Sequence, residues 1–323
     1  MRRSVFLGSG SILPERVLTN DEISTFVDTS DEWIRERSGI RERRIAADGQ
    51  TTADLAEEAA RRALKDADMT PDDIDLVIIG TATPDYSFPS TAAIVQGRLG
   101  IKKGAAYDVG AACSGFVYAI SLADLHLVVG KASKALVIGA ETFSRILDWE
   151  DRTTCVLFGD GAGAFVLGVE EQPGAASDTG VLATHIRCDG AFVDILKTDG
   201  GVSTTKTAGH VRMEGRKVFR EAVNKISGAM VAAAEEAGVD VTDIDLFVPH
   251  QANQRIIDGV VQKLGLSQDG VVSTVATHGN TSAASIPLAF DEARRAGRVK
   301  PGQLVMLEAM GGGLTWGAAL LRV

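Results

Sequence analysis

The chain repeats its own grammar. Thr51 to Ala67 places Leu55, Ala56, Ala59, Ala60, Ala63, Leu64 and Ala67 on one helical face, and an apolar strand is expected over Ile74 to Ala82. A second helix, Val218 to Ala237, precedes Asp243-Ile244-Asp245-Leu246, which echoes Asp73-Ile74-Asp75-Leu76 ahead of another apolar strand. The echo continues in order: Arg98-Leu99-Gly100-Ile101 against Lys263-Leu264-Gly265-Leu266, Ala135 to Gly139 against Leu304 to Leu307, and Gly159 to Gly163 against Gly311 to Gly313. Each half closes on an apolar strand, Ala164 to Val169 and Ala318 to Val323. Strands alternating with helices predict two similar sheets in a layered α/β body. The halves are residues 1–170 and 171–323, and polar Glu170 to Asp178, with Pro173 and Gly174, is the expected linker.

Composition narrows the function. A length of 323 residues with 45% hydrophobic content exceeds one simple core. A net charge of -10 argues against a nucleic-acid binder, which needs a basic face. Cys113, Cys155 and Cys188 cannot all pair and lack metal-ligand spacing, which points to a reducing compartment, the cytoplasm. The opening Met1-Arg2-Arg3-Ser4-Val5-Phe6-Leu7 is broken at Gly8, too short for a secretory leader, and reads as a first strand. No window suggests a membrane helix.

Cys113 lies between a strand, Ala105 to Val109, and a helical run, Phe116 to Val129. Free N–H groups and the dipole at that helix start are expected to lower its thiol pKa. His250, in Pro249-His250-Gln251-Ala252-Asn253, follows a strand of the second half, where α/β proteins place sites. Asn280 stands in His278-Gly279-Asn280-Thr281-Ser282-Ala283-Ala284-Ser285, ahead of another helix. Taken singly each is ordinary: a cysteine is a small buried hydrophobe, a histidine a satisfied loop residue, an asparagine a cap. Gly311-Gly312-Gly313 would let backbone N–H groups approach an oxygen closely, or simply turn the chain. Gly159 to Gly163 leads into a strand rather than a helix, so it is no dinucleotide loop.

Together the strings PHQANQR (249–255), HGNTSAAS (278–285) and GGGLTW (311–316), with Cys113 among small residues, resemble β-ketoacyl-acyl carrier protein synthase III of the thiolase superfamily. The similarity runs from GSGSILPERVLTN to the last strand. It implies a duplicated thiolase-like fold in five αβαβα layers, a homodimer, and decarboxylative condensation of an acyl-CoA primer with malonyl-acyl carrier protein. It implies no metal and no redox cofactor, coenzyme A entering as a thioester substrate.

By the same resemblance Cys113, His250 and Asn280 form the catalytic triad, and the N–H groups of Cys113 and Gly312 the oxyanion hole. Trp33 and Arg152 would bracket the adenine of coenzyme A, with Thr29, Arg37, Gly215, Phe219, Ala252 and Asn253 along a tunnel. Gln251, Ala252, Asn253, Gln254 and Arg255, with Arg220 and Lys263, would dock the carrier protein, although one lysine usual in that patch is Gln262 here. Phe88, reaching in from a partner subunit, and Phe143 would bound the acyl pocket, and a bulky Phe143 suggests a short primer such as acetyl. A degradative thiolase is disfavoured, since no cysteine follows Cys188. A related acyltransferase of secondary metabolism and a non-catalytic acyl-CoA binder remain open.

Overall fold

The computed structural model describes residues 1–323. Five strands form one sheet in the order Arg2–Ile12, Gly161–Glu171, Lys134–Glu141, Leu76–Gly80, Ala105–Val109. Four form the second in the order Leu246–Pro249, Leu304–Gly311, Thr315–Arg322, Gly180–Cys188. Leu76 is registered with Ala135, and Leu246 with Val305, both in parallel pairs. The second half's counterpart of the Ala105–Val109 edge is reduced to a bridge between Phe247 and Val271. The chain passes between sheets across Gln172 to Thr179.

Alternation along these strands sets the layers, because successive side chains leave opposite faces. Ile78, Val137 and Phe165 pack inward with Val248, Leu307 and Leu321 of the other sheet around the helices Gly115–Val128 and Ser285–Arg295. Val77, Ile79, Leu136 and Ile138 face the helix Thr52–Asp66 and its alanines. Met306, Met310 and Leu320 face the helices Gly215–Ala237 and Gln254–Leu264. The result is helix, sheet, helix, sheet, helix.

The repeated acids explain why the echo was readable. Asp75 accepts hydrogen bonds from the N–H groups of Ser133 and Lys134, each at 3.0 Å, and Asp245 accepts from Leu304 N at 2.8 Å. Each aspartate clamps the start of the neighbouring strand, supplying an acceptor where the ladder begins. The strand expected over Ile74 to Ala82 is shorter, Leu76–Gly80, because Pro71–Asp73 forms a 3-10 turn closed by the Asp73 carboxylate on Thr70.

The halves differ where the cavity forms. Glu141 and Gly161 are separated by a long excursion, Thr142 to Asp160, whereas Gly311 and Thr315 are joined by a tight hairpin. A second excursion, 189–214, precedes the helix Gly215–Ala237, and a third, 13–51, precedes the helix Thr52–Asp66. No helix is long and apolar enough to cross a membrane.

Candidate active site

Cys113 sits in the 3-10 turn Ala112–Ser114, immediately before the helix Gly115–Val128. Ala112 holds a φ of 45°, a conformation that non-glycine residues rarely adopt, and the strain throws Cys113 toward the second half. Ser114 Oγ fixes the turn by donating to Ala111 O at 2.7 Å. A Cβ on Gly311 would come within 2.6 Å of Cys113 N, so only glycine lets the last hairpin close over the nucleophile turn.

The second half presents the matching feature. Ser282–Ala284 is a 3-10 turn before the helix Ser285–Arg295, and Ser282 has a φ of 50°. Asn280 Oδ1 accepts from Ser282 N at 2.9 Å. That contact fixes the amide, leaving its Nδ2 hydrogens as donors into the cavity. The backbone of Asn280 is bridged to Phe158, with Asn280 N donating to Leu157 O and Gly159 N donating to Asn280 O, both at 2.9 Å.

His250 follows the strand Leu246–Pro249, its N–H donating to Glu308 O at 2.8 Å. Its Nδ1 lies 2.6 Å from Ser285 Oγ, which also accepts from Gln251 N at 3.3 Å. The buried Ser285 hydroxyl has Nδ1 as the acceptor for its own proton, which assigns the imidazole hydrogen to Nε2. Burial holds the His250 pKa down at about 3, so the ring is neutral. It presents an N–H donor rather than a charge.

The thiol departs from expectation. Burial pushes Cys113 up to about 12, and the neighbouring Glu141 carboxylate adds to this, while Ser282 and Cys113's own N–H pull the other way. Hydrogen bonding favours the thiolate, but less than burial opposes a charge there. Cys113 therefore rests as a thiol.

These groups open on a cavity of about 1160 Å³, lined by Cys113, His250, Asn280 and Gly312. Trp33, Arg37, Gly215, Phe219, Ala252, Asn253 and Arg255 also line it, and Phe143, Phe158, Ile146, Leu196, Val211 and Met310 make much of its apolar wall. Phe143 stacks on Phe158 with ring centroids 4.4 Å apart. Gly312 N donates to no other group of the chain.

Several expected contacts are corrected. Gln251 is wholly buried, its amide donating to Pro249 O and Val272 O and accepting from Thr274 N and Val275 N, so it braces the site and cannot meet a carrier protein. Thr29 and Arg152 are absent from the cavity wall. Arg152 is held by Asp28 and lies 5.2 Å over the Trp33 ring, while Arg37 lies at 4.4 Å. A flat base needs about 3.5 Å on each face, so no slot for a purine stands open between Trp33 and Arg152. Asn253 caps the helix Gln254–Leu264, accepting from Arg255 N, and donates to Arg37 O. Gln254 is engaged with Asp258 and Ser273.

Arg255 and Arg220 are exposed, and Lys263 is exposed while donating to Asn224. Phe88 is 86% exposed and lies outside the cavity of its own chain. Sequence reasoning missed Ser285, Glu141, Arg216 and the apolar wall from 193 to 213. Ser285 stood inside a string already singled out, and Glu141 is an acid ending an apolar strand.

Comparison with known proteins bears on the whole chain. The family model described as 3-oxoacyl-[acyl-carrier-protein (ACP)] synthase III matches residues 107–190, and its C-terminal companion matches residues 234–323. The beta-ketoacyl-[acyl-carrier-protein] synthase III of Rhizobium meliloti is 60% identical over 322 residues, covering 100% of both chains. The 3-oxoacyl-[acyl-carrier-protein] synthase III structure from Aquifex aeolicus superposes with a TM-score of 0.93 at 46% identity, covering 99% of this chain and 100% of that one. The priming β-ketosynthase of the R1128 polyketide pathway also reaches 0.93, at 36% identity, over 100% of this chain and 96% of that one.

Proposed function

The chain belongs to the 3-oxoacyl-[acyl-carrier-protein] synthase III family, and from that premise we propose that Cys113 carries the primer while His250 and Asn280 drive decarboxylation. The enzyme is a thiolase-fold acyltransferase: it condenses a primer acyl-CoA with malonyl-acyl carrier protein to give 3-ketoacyl-acyl carrier protein, the initiating step of fatty acid synthesis. One observation carries the division of labour. The two fixed N–H donors, Asn280 Nδ2 and neutral His250 Nε2, share a cavity with the only cysteine in its wall.

In the first half-reaction the Cys113 sulfur attacks the acyl-CoA thioester, the Cys113 and Gly312 N–H groups hold the oxyanion, and coenzyme A leaves. Malonyl thioester then enters. Its C–CO2 bond breaks, the electron pair passes to the thioester oxygen, and His250 and Asn280 stabilise the enolate with two hydrogen bonds. Preorganisation is the point, since both donors are oriented by buried hydrogen bonds before substrate arrives. The enolate carbon attacks the acyl group and the Cys113 thiolate is expelled.

Coenzyme A enters along Trp33, Arg37, Gly215, Phe219 and Ala252, with Asn253 contributing its remaining acceptor capacity; Arg152 must leave Asp28 for the adenine to reach the indole. Its exposed pairing with Asp28 is weak enough to exchange. Arg255, Arg220 and Lys263 form the basic approach for the carrier protein, and Arg216 at the cavity rim extends it. The Phe143–Phe158 stack suits a short primer. A homodimer fits the unpaired edge strand Ala105–Val109 and the protruding Tyr86 and Phe88, the partner supplying Phe88 to the acyl pocket. Three free thiols suit the cytoplasm. Trapping the acyl group on Cys113 by mass spectrometry tests the assignment, with retention of that group in His250→Ala as the expected result.

A further inference from the structure

The apolar wall of the cavity comes from two excursions, Thr142 to Asp160 and 189–214, that lie outside both large sheets. Phe143, Ile146 and Phe158 of the first pack in one cluster with Val211 of the second, and Leu196 lies against it. No ladder joins the two excursions. A single side chain does.

Val211–Met213 pairs antiparallel with Leu196–Thr198, and strand alternation turns Val211 and Met213 into the cavity wall and leaves Arg212 out of it. Arg212 Nε donates to Asp199 Oδ2 at 2.7 Å within its own excursion, and Nη1 donates to Asp148 Oδ2 at 2.7 Å in the other. The second is the one hydrogen bond that crosses between the excursions. Asp151 Oδ2 stands 3.8 Å from the same nitrogen.

Both ends of this clasp are braced. Asp199 Oδ1 accepts from His210 N at 2.7 Å, which fixes the carboxylate that holds the guanidinium. Asp148 Oδ1 accepts from Glu150 N at 3.1 Å, and Asp151 Oδ1 accepts from Thr153 N at 2.9 Å. A lone surface ion pair contributes little, because ordering two long side chains and screening by salt offset it. Here Asp199 orients the guanidinium before it reaches Asp148, so less order is lost on closing. Arg212 is also the one cation within salt-bridge distance of Asp148, Asp151 and Asp199. Without it three carboxylates would face one another, and their repulsion would favour parting of the excursions.

We propose that Arg212 limits the primer to short acyl chains by clasping the two excursions around the apolar part of the cavity. The inference rests on the reading of Cys113 as the acylated nucleophile. An acetyl group leaves the Phe143–Phe158 stack and its contact with Val211 undisturbed. A longer chain needs the space that this cluster fills, and the excursions must separate to yield it, which breaks the bond from Arg212 to Asp148. Arg212 lines no part of the cavity and acts through Val211 and Met213, so it is a positioning residue whose effect is on specificity.

The test is the rate of Cys113 acylation by acetyl-CoA and by octanoyl-CoA, each followed by rapid-quench intact-protein mass spectrometry. Arg212→Gln is expected to raise the octanoyl-to-acetyl rate ratio about tenfold, with the acetyl rate within a few-fold of wild type. Asp148→Asn is expected to shift the ratio the same way, and the double variant to exceed neither single one by much, since both remove one contact. Salt at about 1 M should raise the ratio in wild type and leave it unmoved in Arg212→Gln. An unchanged ratio in both single variants, or equal slowing with both primers, overturns the clasp and leaves Arg212 a structural residue only. Absence of any acyl mass on wild-type Cys113 with either primer overturns instead the functional reading beneath it.

Discussion

Ala112-Cys113-Ser114-Gly115 and Ser282-Ala283-Ala284-Ser285 hold equivalent places in the two halves and share a backbone. Each turns through a positive φ, makes one 3-10 turn, and enters a central helix. Their chemistry is opposite. Where the first half has the nucleophile the second has Ala283, and where the first has Ala112 and Gly115 the second has the hydroxyls of Ser282 and Ser285. One supplies the reacting atom and the other orients what acts on it. Duplication therefore sets where groups converge, and substitution at matched positions sets what each half contributes.

The comparison breaks most sharply at the sulfur. Cys113→Ala is expected to abolish acyl transfer, whereas the analogous change in the second half is unavailable, since Ala283 is already alanine; single-turnover acylation measures this. Next come the donors: His250→Ala and Asn280→Ala are expected to slow condensation by about 100- to 1000-fold while acylation proceeds within a few-fold of wild type. Equal loss of both steps would erase the division between halves.

Gly311→Ala tests the closure of one half on the other. The added methyl would meet Cys113 N at 2.6 Å, so acylation and the thermal midpoint should fall together. Ser285→Ala should be milder, about tenfold on condensation, because Nδ1 loses its hydroxyl partner and the ring its fixed tautomer. A loss confined to acylation would contradict that assignment. The smallest effect is expected at the rim, where Arg255→Glu should raise KM for the malonyl-acyl carrier protein several-fold, more at low than at high salt, with little change for acyl-CoA.

What the sequence disclosed follows the same division. The repeated scaffold was legible because strand starts need acceptors and helices need apolar faces, needs that left the Asp75 and Asp245 motifs and the alanine stripe of Thr51 to Ala67 in plain order. The strings around Cys113, His250 and Asn280 were legible as a resemblance. Burial was not. Gln251 sits in the PHQANQR string but spends its amide inside the protein, and Cys113 stands before a helix but is buried, which pushes its thiol up. Both outcomes depend on tertiary packing: Gln251 is claimed by Pro249, Val272, Thr274 and Val275 of its own half, while Cys113 is covered by the Gly311 hairpin of the other. The cavity wall was equally hidden, because Phe158, Leu196 and Val211 come from excursions outside the repeat. Ser285 stood in the HGNTSAAS string without a role of its own and became significant only beside His250.

The central claim, nucleophile from one half and decarboxylating donors from the other, is tested most directly by intact-protein mass spectrometry of wild type, Cys113→Ala and His250→Ala after acetyl-CoA and then malonyl-acyl carrier protein. Wild type should gain an acetyl mass and lose it as 3-ketoacyl product forms, Cys113→Ala should gain none, and His250→Ala should gain the mass and keep it. An acetyl adduct on Cys113→Ala, or a His250→Ala protein that turns over normally, would contradict the account.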